Sequence, residues 1–164
     1  VFQDFKLFAF PLWENVTAGY PRCEERIWEA LRRADADRMV EGMEEKLDTW
    51  LYKDYEDGVE ISGGEAQKLA LARALYKDAP VVVLDEPTAA LDPKAEAEIY
   101  ARFNEMVEGR TSIYISHRMS SCRFCDDIIV FEDGRIAERG SHEELTAARG
   151  SYARMWEAQA KYYA

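Results

Sequence analysis

The centre of the chain carries apolar patterns that predict a helix, a strand and a second helix in succession. Residues 66–75 form an apolar-rich run that follows a serine and two glycines at 62–64, and serine is a common helix cap. Residues 81–84 are all apolar, which predicts a strand buried on both faces, as in a parallel sheet. The Asp-Pro pair at 92–93 indicates the next helix start. This alternation predicts an α/β fold.

Further elements are predicted on both sides of this centre. Residues 111–115 are rich in β-forming types and predict a second short strand. The Asp-Gly pair at 133–134 is a hairpin signal. Ser141 and Glu144 have the spacing of a capping box, and a last helix is expected to begin with Ser151 as its cap. Upstream of the centre, helical spacing predicts a helix over residues 22–33, and further short helices are expected over residues 36–42 and 47–51.

The composition is that of a folded domain with an acidic surface. The 164 residues are 48% hydrophobic and 32% charged, and their formal net charge is −11. These values are typical of a globular chain rather than a disordered one. The acidic balance argues against nucleic acid as a partner, because binding it requires a basic surface. No apolar run approaches the roughly 20 residues that span a bilayer.

The three cysteines do not make a disulfide framework. Cys122 and Cys125 form a C-x-x-C pair, whereas Cys23 stands alone. A redox pair would need a thioredoxin-like context, which the sequence lacks, and zinc would need two more ligands. We therefore expect no chemical role for this pair.

Two features of the centre have the chemistry of a phosphate and metal site. A helix that begins at residues 62–64 offers free N–H groups and a dipole to an anion, and glycines allow its close approach. Asp85 and Glu86 lie at the carboxyl end of the predicted strand, where open α/β sheets bind ligands. Asp85 suits Mg²⁺, and Glu86 suits a base that activates water. Taken singly, the features also fit a capped helix and two solvated acids.

Together these motifs resemble those of the ATP-binding cassette (ABC) ATPases. Residues 61–65, I-S-G-G-E, are similar to the signature motif L-S-G-G-Q, residues 81–86 to Walker B with its glutamate, and residues 89–92 to the D-loop. The resemblance implies a P-loop NTPase-like α/β fold, with a mostly parallel sheet, flanking helices and an inserted α-helical subdomain. It extends over essentially the whole chain, because residues 126–156 resemble the tail of exporter-type cassettes.

The resemblance implies ATP and Mg²⁺ as ligands and assigns a role to each site residue. Asp85 would hold the metal, and Glu86 would polarise the attacking water. His117, in a Ser-His-Arg sequence similar to the H-loop, would contact the water and the γ-phosphate. Gln3 resembles the Q-loop glutamine, which reaches the metal. Further contacts to nucleotide are implied for Ser62, Gly63, Gly64, Glu65 and Asp92.

The resemblance also implies partners and a location. Two such domains pack head to tail, so that the signature residues of one close on the γ-phosphate held by the other. Transmembrane domains of the same transporter would dock on the apolar stretch at residues 5–12, which could alternatively be subdomain core. The expected function is ATP hydrolysis that drives export, at the cytoplasmic face of the cell membrane and without nucleic acid.

The sequence has no G-x-x-x-x-G-K-[ST] motif. In the family this P-loop lies upstream, so we expect the chain to be the C-terminal part of a nucleotide-binding domain. By itself it is expected to be inactive. Residues 4–75 are predicted to form the helical subdomain that ends in the signature helix, and residues 76–164 part of the catalytic core.

Two departures from the family pattern leave the subfamily open. Residues 57–60 replace the usual exporter string before the signature, and Glu65 replaces its glutamine. The alternatives are a soluble ABC ATPase of DNA repair or translation, and a degenerate cassette that regulates a partner. Membrane-spanning segments upstream would exclude the first, while Glu86 and His117 count against the second.

Overall fold

The computed structural model describes residues 1, 4–52, 58–87, 107 and 109–160. The chain divides into two compact units, Val1–Ile115 and Ser116–Ala164. Within the described ranges, no helix is long and apolar enough to cross a membrane. The helix predicted from Asp92 and the predicted D-loop lie outside the described residues. The subdomain boundary at residue 75 stays a prediction.

The first unit begins with a helical part whose members share one apolar core. Ile27 and Leu31 lie one turn apart on the second helix, and both are buried with Leu69 of the fourth helix. The elements in chain order are α1 (Leu12–Thr17), α2 (Glu24–Arg33), α3 (Asp37–Glu41), a 3-10 turn (Lys46–Asp48) and α4 (Gly63–Tyr76).

The helix predicted over residues 47–51 is wrong, since only the three-residue 3-10 turn forms there. Trp50 and Leu51 make isolated β-bridges, the first with Pro11 and the second with Val59. Such pairing needs extended backbone, so contacts with distant segments override the local helical spacing.

Among the described residues of the first unit, two strands pair in parallel. β1 (Val81–Asp85) pairs with β2 (Thr111–Ile115), in a register that places Asp85 beside Ile115. On the other side of β1, Val1 donates to the Val83 carbonyl at 2.6 Å and accepts from the Asp85 N–H at 2.9 Å. The carboxyl ends of β1 and β2 therefore meet at one sheet edge.

The prediction that β1 is buried on both faces is wrong for this chain. Val82 and Leu84 belong to the buried core, but Val81 is 50% and Val83 42% exposed. Strand side chains alternate between faces, so the face of β1 that carries Val81 and Val83 is only partly covered. An unbroken apolar run cannot by itself reveal this difference.

The described part of the second unit contains a 3-10 helix (Met119–Phe124), a hairpin and two helices. β3 (Ile128–Glu132) and β4 (Arg135–Gly140) form an antiparallel pair. Asp133 and Gly134 both have positive φ, 49° and 76°, as the predicted hairpin turn requires. The helices α5 (His142–Ala148) and α6 (Ser151–Ala160) follow.

The two helix starts of this unit differ in how they are capped. The predicted capping box is present at α5, where Ser141 Oγ accepts from Glu144 N–H at 3.3 Å. Ser151 is the first residue of α6 rather than its cap. The carboxylate of Glu138 on β4 caps α6 instead, accepting from the N–H groups of Ser151 at 2.6 Å and Tyr152 at 3.0 Å.

Candidate functional site

The start of α4 is an exposed, capped helix end. Ser62 Oγ accepts from the Glu65 N–H at 3.3 Å, and the Glu65 carboxylate accepts from the Ser62 N–H at 2.7 Å. This reciprocal pair is a capping box. Ser62 and Gly63 are exposed and Gly64 is half-buried. Because the N–H groups of Ser62 and Glu65 are used in this capping box, the N–H groups of the two glycines are the donors that this helix end presents to an anion.

Asp85 and Glu86 lie at the carboxyl end of β1, and both are half-buried. The backbone of Glu86 has a left-handed conformation, with φ of 45°. Its N–H donates to the Ile115 carbonyl at the end of β2, at 2.9 Å. Its own carbonyl accepts from Gln67 Nε2 on α4, at 3.1 Å. Two elements therefore fix the backbone from which the Glu86 carboxylate projects.

The carboxylate of Asp85 fits a magnesium ion that is bound with a nucleotide. Mg²⁺ usually takes one or two protein carboxylates and completes its shell with water and substrate phosphates. Among the described residues, no three His, Cys, Asp or Glu side chains form a cluster that could hold a metal alone. A half-buried carboxylate at a strand end agrees with this arrangement, in which water and the nucleotide supply the other ligands.

His117 lies near the start of the second unit and is exposed. The chain turns here, since Ser116 Oγ accepts from the Arg118 N–H at 2.9 Å. The side-chain amide of Gln159 on α6 holds this turn: it donates to the His117 carbonyl at 2.7 Å and accepts from the Met119 N–H at 2.9 Å. His117 thus projects from a segment with a fixed backbone.

The structure brings together part of the predicted site within the first unit. Glu86 is linked to α4 through Gln67 and to the end of β2 through Ile115. Gln3 and Asp92 lie outside the described residues. The roles of all the predicted site residues in nucleotide and metal chemistry stay predictions.

The cysteine pair has the character of structural thiols. Cys122 and Cys125 are free and half-buried. Burial is the main reason why the pKa of both thiols is raised, for Cys125 to about 11. A raised pKa leaves little reactive thiolate at neutral pH.

A polar network that the sequence patterns did not reveal joins α4 to the segment before α1. Arg73 Nε donates to the Asn15 carbonyl at 2.7 Å, and Arg73 Nη1 to the Lys6 carbonyl at 2.8 Å. Asn15 is 2% exposed, and its side chain exchanges hydrogen bonds of 2.9 Å with the backbone N–H and carbonyl of Phe8. Burial lowers the pKa of the Arg73 guanidinium.

This network organises the apolar stretch at residues 5–12. Leu7 and Leu12 are buried in the core of the first unit. Phe8 and Phe10, which the Asn15 side chain holds through their carbonyl groups, are exposed. The stretch therefore supplies both core residues and exposed aromatic rings.

Comparison with known proteins agrees with these features. The family model described as "ABC transporter" matches residues 1–89, so the chain belongs to the ABC transporter family. Its fold matches part of an ABC exporter: a bacterial Atm1-family ABC exporter, solved with ATP bound, superimposes with a TM-score of 0.86 at 34% identity, over 96% of this chain and 28% of the other.

Two curated relatives are ATP-dependent lipid A-core flippases. That of Pseudomonas aeruginosa is 43% identical over 159 residues, and that of Cupriavidus pinatubonensis is 41% identical over 157 residues. The matches cover 94% and 93% of this chain, and 26% of each relative. The chain thus spans about a quarter of the length of these flippases.

Proposed function

We propose that this chain is part of a nucleotide-binding domain that hydrolyses ATP, with Mg²⁺, to drive export across a membrane. The observation that carries the proposal is the restrained Glu86 at the carboxyl end of a parallel strand pair, beside Asp85. This place in an α/β sheet is where ligands bind, and the two carboxylates have the chemistry for metal and water. The flippase relatives and the ATP-bound exporter structure support the same assignment.

In the proposed reaction, Glu86 accepts a proton as water attacks the γ-phosphorus. The bond from that phosphorus to the oxygen bridging to the β-phosphate breaks, which gives ADP and inorganic phosphate. When bound, Mg²⁺ neutralises charge that develops on the phosphate oxygens, and Asp85 would hold it. His117 would hydrogen-bond the γ-phosphate and the water, and Gln3 would sense the metal. Electrostatic positioning rather than a covalent enzyme intermediate lowers the barrier.

In this proposal, the exposed start of α4 contacts the nucleotide that a second copy of the domain holds. In the proposed head-to-tail pair, Ser62, Gly63 and Gly64 of one domain close on the γ-phosphate held by the other. Asp92 would take part in the contact between the two domains. The backbone N–H groups and dipole at the start of α4 suit this anion.

The proposed exporter places the domain at the cytoplasmic face of the cell membrane, next to transmembrane domains. The exposed Phe8 and Phe10 rings support a docking surface there, because exposed aromatic residues beside one another favour a protein partner.

The test compares the ATP turnover of the full-length protein with that of Glu86→Gln and of Glu132→Gln. The first variant is expected to lose roughly 10²- to 10⁴-fold in turnover, the usual effect of removing a positioned base. Glu132, an exposed glutamate at the end of β3, is the matched control and should leave turnover unchanged. A loss below tenfold in Glu86→Gln would refute the role of Glu86. Near-zero turnover in the unmodified protein would indicate a degenerate cassette instead.

A further inference from the structure

We propose that Gln67 is a positioning residue for Glu86, which it orients by holding the backbone carbonyl of that residue. The inference rests on the proposed function, in which Glu86 is the base that activates water. Gln67 does not touch the reacting atoms in this scheme. It acts through the direction of the Glu86 side chain, and it lies on the same helix that begins with the signature residues.

The hydrogen bond between the two residues is buried and specific. Gln67 is only 3% exposed, although it is a polar residue on a helix whose buried positions are otherwise mostly apolar. Its Nε2 donates to the Glu86 carbonyl at 3.1 Å, over a separation of 19 residues in sequence. Burying an amide is unfavourable unless it is hydrogen-bonded, so a leucine or methionine would serve the core better. The hydrogen bond to Glu86 explains why a polar side chain occupies this buried position.

The backbone of Glu86 needs such a restraint. A non-glycine residue with φ of 45° is strained and persists only where its surroundings fix it. The residue before a proline is normally extended, and Pro87 follows Glu86 directly. The Glu86 N–H is held by the Ile115 carbonyl at 2.9 Å. The bond from Gln67 holds the opposite side of the residue, and together the two bonds define its rotation.

A small rotation of this backbone matters for catalysis. A general base must lie within about 2.6–3.2 Å of the atom whose proton it removes. Misplacement by about 1 Å can lower a rate about 10²-fold. Loss of the Gln67 bond should therefore reduce kcat by about 10- to 100-fold. ATP binding should be nearly unchanged, because Gln67 contributes no group to the nucleotide in this scheme.

The experiment measures kcat, KM for ATP and ATP affinity in the full-length protein. Gln67→Met keeps the side-chain length and removes the donor. Leu71→Met is the matched control, since Leu71 lies on the same helix and is equally buried, at 3% exposure. Volume-conserving exchanges of this kind are well tolerated. The double variant Gln67→Met with Glu86→Gln completes a cycle that tests whether the two residues act together.

The expected result is a 10- to 100-fold lower kcat in Gln67→Met, with KM and ATP affinity within about twofold and Leu71→Met at normal activity. In the Glu86→Gln background, Gln67→Met should have no further effect, which a merely structural role would not produce. If Gln67→Met does not fold, Gln67→Leu provides the same comparison.

Two results would overturn the inference. One is normal kcat in Gln67→Met while Glu86→Gln loses activity, which leaves the proposed function standing. The other is an equal further loss from Gln67→Met in the Glu86→Gln background. Failure of the proposed function itself is distinguishable, because then either Glu86→Gln alone would keep its turnover or the unmodified protein would have none.

Discussion

Replacing Arg73 by methionine should loosen the segment before α1 from α4 while leaving the rest of the chain folded. The guanidinium donates to the carbonyls of Asn15 and Lys6 and, at 3.3 Å, to Asn15 Oδ1. Methionine keeps the aliphatic stem and removes all three donors. The perturbation therefore tests hydrogen bonding rather than packing.

The size of the effect follows from how well water can replace each lost donor. The buried Asn15 carbonyl cannot be rehydrated, so losing the Arg73 donor to it costs about 1–3 kcal/mol. The carbonyl of exposed Lys6 can bind water, and Asn15 Oδ1 still accepts from the Phe8 N–H. Burial lowers the pKa of the Arg73 guanidinium, because a charge is less favourable there than in water. Removing this half-buried charge therefore offsets part of the cost. A net loss of about 2 kcal/mol is expected.

Hydrogen exchange of the backbone amides is the assay, because it measures local opening. For exchange limited by the opening equilibrium, about 2 kcal/mol corresponds to roughly 30-fold faster exchange in the segment from residue 6 to residue 17. Arg139→Met, which removes an exposed ion pair with Asp127, is the control and should change exchange there by less than twofold. Acceleration below threefold in Arg73→Met would show that the network does not hold this segment.

Two further predictions concern the charge at the start of α4 and the cysteine pair. If the proposed function holds, Glu65→Gln should lower KM for ATP about two- to fivefold with kcat nearly unchanged. The substitution removes a negative charge beside an anion site, and one charge at a helix end contributes about 0.3–1 kcal/mol. Steady-state kinetics tests this, and an unchanged or higher KM would contradict it. With a pKa of about 11, Cys125 should react with iodoacetamide at pH 8 about a hundredfold more slowly than an exposed cysteine peptide, and faster as pH rises towards that pKa. Mass spectrometry of the Cys125 peptide gives the rate, and equal rates would refute the burial.

Local signals in the sequence were sufficient for the elements that present the site. The serine and glycines before α4, the apolar run of β1 and the Asp-Gly turn each determine backbone geometry within a few residues. The two carboxylates after β1 follow from the same local pattern. These features depend on short-range hydrogen bonds and on side-chain periodicity, which a single sequence contains.

The contacts that restrain the site could not be predicted in this way. Gln67 meets Glu86, and Arg73 meets Asn15, only after α4 has packed. Before packing, each of these polar residues is indistinguishable from a residue on a solvated helix face. A glutamine among leucines and alanines is the one signal available, because a polar residue on an apolar face needs a partner.

The positions of these contacts along α4 make the helix a link between three parts of the first unit. Its start presents Gly63, Gln67 reaches the end of β1 a turn later, and Arg73 reaches the segment that carries Phe8 and Phe10. At about 1.5 Å per residue, Gly63 and Arg73 are about 15 Å apart on one rigid element. A displacement of the helix start by a ligand must therefore move Gln67 and Arg73 as well. Each link is a small set of hydrogen bonds. Gln67→Met should therefore separate Glu86 from α4 while residues 6–15 stay attached to the helix. Arg73→Met should release residues 6–15 and leave Glu86 attached to the helix.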